Sequence, residues 1–81
     1  MNQIGELIKA FLKQKNHDEM AVFLKGILTP RELDELSMRL QIVRLLKQGL
    51  PHHVIAKRLG VGVATITRGS RELKMGRFKN I

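Results

Sequence analysis

The chain reads as all-α: a single small helical domain of 81 residues. Three observations carry that reading. Period-two alternation is sustained nowhere, apolar residues recur at three- and four-residue spacing, and helix start and stop residues punctuate the runs. A monomer of this length buries only about 60–65% of its unfolded surface. With no cysteine there is no disulfide to compensate. Such a chain is expected to complete its core with a second copy, as a homodimer.

The elements follow in order. Ile4, Leu7, Ile8, Phe11 and Leu12 predict an amphipathic helix over about residues 2–15. Asn16 and His17 interrupt it, and Asp18 is placed to cap a short second helix carrying Met20, Phe23, Leu24 and Ile27, with Gly26 near its end. Together, residues 1–27 are expected to supply dimerisation helices, with Met1 as an initiator. Thr29-Pro30 is the clearest start signal: a capping hydroxyl, proline at the first helical position, then Glu32 in an acidic first turn. Leu33, Leu36, Leu40, Val43 and Leu45/Leu46 extend one apolar face over the central helix, residues 29–49, which Gly49 stops. Two shorter helices are expected around Gly60-Val61-Gly62, at residues 51–59 and 63–73. The tail, residues 75–81, is expected to fray.

Charge is unevenly placed. Residues 1–38 hold five Lys/Arg and six acids, for a net of −1; residues 39–81 hold ten Lys/Arg and Glu72, for a net of +9. The second half therefore points to a polyanionic partner, nucleic acid before an anionic membrane. Residues 59–66 are the longest apolar-rich stretch, far short of a membrane span. Glu6 and Lys9 interrupt the apolar pattern that a secretory signal needs. A cytoplasmic protein with no membrane partner is the expectation.

Residues 50–74 have the spacing of a helix-turn-helix. Two crossing helices need a small residue where they touch, which Ala56 supplies; four residues later the turn needs a positive φ, which Gly60 supplies. Ile55, Leu59, Val61 and Ile66 fall where the motif buries its contacts. Val63-Ala64-Thr65 opens the second helix, the one that enters the major groove. A purely structural hairpin does not explain Thr65, Thr67, Arg68 and Arg71 where better helix formers would serve. Short hydroxyls and arginines suit phosphate and base contacts.

The run Ala64-Thr65-Ile66-Thr67-Arg68-Gly69-Ser70, with Leu73-Lys74 behind it, closely resembles the signature of the bacterial tryptophan repressor family. Leu28-Thr29-Pro30 and Arg39-Leu40-Gln41-Ile42-Val43 are similar to that family's pocket-forming helix. The resemblance spans about residues 26–74. It implies an intertwined homodimer that represses transcription by binding double-stranded operator DNA, with L-tryptophan or a related indole or amino acid as corepressor and no other cofactor. By position, Arg39 and Arg68 would sandwich the indole ring. Thr29 would contact the ligand carboxylate, the carbonyls of Gly26 and Leu28 would accept from its ammonium, and Gly69 would keep the pocket open. His53, Val63, Ala64, Thr65 and Thr67 would face the major groove and Lys74 a phosphate; His52, Lys57 and Arg71 complete the expected DNA-binding set.

Three departures accompany the resemblance. Glu72 stands where the family has a serine that helps hold the ligand's amino group. A carboxylate there either binds the ammonium more strongly or pairs with Arg68 or Arg39 and closes the site. The stretch from Gly49 to Gly60 is one residue shorter, and the family's final helix is nearly missing from these 81 residues. The alternative reading is an effector-independent DNA-binding regulator or assembly module of the same fold. No enzyme is expected, because no nucleophile–base pair or strand-borne phosphate loop is present. His17, His52 and His53 lack a suitably spaced carboxylate, so no metal site is expected.

Overall fold

The computed structural model describes residues 2–81; Met1 and its reading as an initiator lie outside the described residues. Five helices follow in chain order: α1 (Gln3–Leu12), α2 (His17–Ile27), α3 (Pro30–Lys47), α4 (His52–Leu59) and α5 (Val63–Lys74). No strand occurs among the described residues. The chain resolves into two compact units, Met1–Leu33 and Asp34–Ile81, dividing in the first turns of α3.

In the first unit the helix starts are capped by side chains. Asn2 accepts from the Gly5 amide at 2.9 Å, and Asn16 accepts from the Glu19 amide at 2.9 Å. The cap of α2 is thus Asn16 rather than Asp18; Asp18 and Glu19 instead lie in the first turn, where their charge complements the helix dipole. Phe11 and Phe23 meet edge to face, with centroids 5.2 Å apart. No residue of α1 or α2 is fully buried, and Ile4, Ile8, Leu12 and Val22 are exposed.

Thr29 and Glu32 cap the start of α3 reciprocally. The Glu32 amide donates to the Thr29 hydroxyl oxygen at 3.2 Å, and the Thr29 amide donates to the Glu32 carboxylate at 2.9 Å. The Thr29 amide, and after it the Thr29 hydroxyl, hold the Glu32 carboxyl below the usual carboxylate range. This contribution to stability is full above the unfolded-state value and is lost as pH falls through the lowered one.

The second unit has a true core. Ile42 of α3, Ile55 of α4 and Ile66 of α5 are essentially inaccessible, with Met38, Leu45, Leu46, Leu50, Ala56, Leu59 and Val61 around them. This revises the apolar face read for α3. Leu36 is 44% exposed, whereas Ile42, outside the nominated stripe, is 1% exposed. The reason is that α3 carries apolar residues on more than one side. Its Leu36–Leu40–Val43 side lines an apolar groove with Phe78 and Ile81, while Ile42 meets α4 and α5.

The turn between α4 and α5 has the expected construction. Gly60 is left-handed at φ 68, and the Val61 amide donates back to the Ala56 carbonyl at 3.1 Å. That bond satisfies one carbonyl left over at the helix end, and glycine meets the positive φ without steric cost. The segment after α5, read as a fraying tail, forms consecutive turns built the same way. Gly76 is at φ 82, its amide donates to Leu73, and the Arg77 amide donates to Glu72 at 3.2 Å. We call residues 76–81 the strap.

Candidate ligand cleft and nucleic-acid interface

At about 100° per residue, α5 sorts its side chains into three faces. Ile66 is buried, with Ser70 and Leu73 half-buried beside it. Ala64, Thr67, Arg71 and Lys74 share an exposed face. Thr65, Gly69 and Glu72 share a third face, and Arg68 sits at its border with the exposed one.

The third face opens on a cleft of about 180 Å³ lined by Arg39, Ile42, Val43, Thr65, Arg68, Gly69, Glu72 and Phe78. Of the residues expected around a ligand, the structure therefore brings together Arg39, Arg68, Gly69 and Glu72. Two guanidinium groups and one carboxylate around an apolar floor suit a flat ring bearing both charges of an amino acid. Thr65, grouped by sequence with the base-facing residues, lines this cleft as well. Sequence reasoning missed Phe78. The signal was available in Gly76, a glycine that can reverse the chain two residues before an aromatic.

Geometry adds to two expectations. Glu72 was expected to meet a ligand ammonium, Arg68 or Arg39; among the described residues its ion-pair partner is Arg77, whose Nε donates to Oε2 at 3.1 Å. Gly69 was expected to leave room for a ligand. It lines the cleft, and a Cβ there would lie 3.2 Å from Ile42 Cγ2 and 3.7 Å from Leu46 Cδ1, so glycine also lets α5 approach α3 closely. A bulky substitution at Gly69 therefore strains the core as well as the cleft wall.

Gly26, Leu28 and Thr29 belong to the first unit. Gly26 stands four residues before Pro30, which has no N–H, so its carbonyl has no helical donor to accept from. Thr29 is occupied as the α3 cap through its hydroxyl and its amide.

The exposed face of α5 continues the positive charge of α4. His53, Lys57 and Arg58 line a shallow depression with Val54. Arg58 was not in the expected set, although the basic half pointed to it; His52 is half-buried and the other α4 candidates are exposed or rim this depression. On α5, Val63 is 51% exposed, and the Thr67 hydroxyl donates to the Val63 carbonyl at 3.0 Å, keeping its oxygen as an acceptor. Neither α4 nor α5 has a side-chain cap or an acid in its first turn, unlike α1 and α2. Their amide ends thus reinforce the positive potential of this surface. No group of three His, Asp or Glu positioned for a metal occurs among the described residues, and no described helix is long and apolar enough to cross a membrane.

Comparison with known proteins gives one family. A family model described as Trp repressor protein matches residues 2–79. The chain is 49% identical over 74 residues to a Trp operon repressor homolog of Vibrio vulnificus, covering 90% of this chain and 70% of that protein. It is 44% identical over 73 residues to the homolog of Vibrio cholerae, covering 89% and 68% respectively. No solved structure gives a significant match.

Proposed function

The chain belongs to the Trp repressor family, and from that premise we propose that it is a transcriptional repressor. It binds pseudo-palindromic operator DNA as a homodimer, with α4 and α5 as its helix-turn-helix and L-tryptophan or a related indole or amino acid as corepressor. The observation that carries this reading is the division of α5. One helix presents Thr67, Arg71 and Lys74 outward and Arg68, Gly69 and Glu72 to the cleft. A ligand held between Arg68 and Arg39 therefore bears directly on the orientation of the surface that meets DNA. Helix-turn-helix dimers, the tryptophan repressor among them, read half-sites about one helical turn apart or a multiple of it.

The dimer is supported by the apolar residues that the first unit leaves in solvent, Ile4 and Leu12 being 72% and 79% exposed. The engagement of Glu72 by Arg77 favours a second reading, a repressor of the same fold that binds operator without effector.

The two kinds of DNA contact separate by mutation. Thr67→Ala is expected to cost about 1–3 kcal/mol on the operator and to relax sequence preference. Lys74→Ala is expected to weaken operator and scrambled DNA alike. Equilibrium binding to both DNAs checks this; identical discrimination in the two variants would place base readout elsewhere than α5.

A further inference from the structure

Two residues lining the cleft, Glu72 and Phe78, are engaged in or supply contacts of the kind an amino acid would bring. Arg77 Nε donates to Glu72 Oε2 at 3.1 Å, and the neighbouring Phe78 forms part of the wall beside Arg39 and Arg68. The Glu72 side chain is 29% exposed and that of Arg77 61%, so the carboxylate sits inward and the cation towards solvent. The strap, which carries Arg77 and Phe78, is held on either side of them. Gly76 reverses the chain at φ 82, and Lys47 Nζ donates to the Ile81 backbone oxygen at 2.6 Å. A cation and an aromatic ring on adjacent residues present the same two features as an aromatic amino acid, an ammonium and a flat ring. Among the described residues, Glu72 is the one carboxylate lining the cleft, and it is engaged by Arg77. The remaining space, about 180 Å³, is below the roughly 300 Å³ at which ligand pockets ordinarily begin.

We infer that Arg77 and Phe78 set the ligand affinity of this cleft by acting as an internal competitor: an aromatic amino acid enters fully only when the strap gives up Glu72 and withdraws Phe78. This inference rests on the cleft being the corepressor site. The displacement is within reach of a small ligand, because a partly exposed ion pair contributes little and Phe78 is only half-buried. Release of the strap leaves α4, α5 and the isoleucine core intact, since neither Arg77 nor Phe78 belongs to that core.

The test is calorimetric titration of L-tryptophan into the full chain, three single variants and the Arg77→Gln/Phe78→Ala double variant. Arg77→Gln is expected to tighten binding about two- to fivefold, the range set by a partly exposed ion pair. Phe78→Ala is expected to tighten it about tenfold through the burial no longer surrendered. Asn80→Ala, on the exposed part of the strap, is expected to change nothing. In the native protein the Arg77 amide, bonded to the Glu72 carbonyl at 3.2 Å, should exchange its hydrogen faster when L-tryptophan saturates the cleft. Binding seen only in Arg77→Gln, Phe78→Ala or their combination would support the competitor in its strongest form. Native binding that neither variant improves would overturn the strap and leave the corepressor reading standing. No binding even in the double variant would overturn both.

Discussion

Operator affinity is expected to fall about 10³–10⁵-fold between 50 and 200 mM salt. Lys57, Arg58, Arg71 and Lys74 are exposed on the α4–α5 surface. In the proposed dimer they amount to about eight cations facing phosphates, and each neutralised phosphate releases condensed counterions. The double logarithmic slope should therefore be steep, roughly −7. Fluorescence anisotropy with a labelled operator across that salt range measures it directly. A slope shallower than about −2 would mean that this surface does not carry the DNA.

A second large effect is expected from Ile66→Ala, a cost of about 2–5 kcal/mol in unfolding free energy. Ile66 is fully inaccessible and meets Ile42 and Ile55, one residue from each of the other two helices of its unit. Truncation leaves a void where three helices converge, and the small hydrophobic cluster has little else to collapse into it. Since domains of this kind are stable by only about 5–15 kcal/mol, much of the margin would go. Chemical denaturation followed by circular dichroism reads the loss. A cost under about 1 kcal/mol would show that the core lies elsewhere.

The α4–turn–α5 segment was legible because local rules agree there. Ala56, Gly60, Ile55 and Ile66 each answer a different requirement of two crossing helices, and all four sit as their spacing implies. The start of α3 was legible for the same reason, Thr29, Pro30 and Glu32 being start residues in the right order. Competing signals hid the rest. Asn16 and Asp18 both suit a helix cap, and only geometry shows that Asn16 reaches the Glu19 amide. Along α3, apolar residues on several sides let a leucine stripe mask Ile42. What a Cβ at Gly69 would meet is fixed by how α3 and α5 approach, a relation no local spacing encodes. Phe78 was missed because a glycine after a helix signals an end as readily as a reversal.

Arg39 and Arg68 lie on different helices, α3 and α5, and line one cleft. If a flat ligand between them favours one orientation of α5, ligand and operator must strengthen each other by the same factor. Titration of operator DNA into the protein, with and without saturating L-tryptophan, measures that factor directly. Operator binding is predicted to tighten 5–150-fold, the usual range for such coupling, with L-tryptophan binding tightened equally by operator. Operator affinity that ignores L-tryptophan, both in the native chain and in Glu72→Ser, would contradict the coupling and leave an effector-independent repressor in its place.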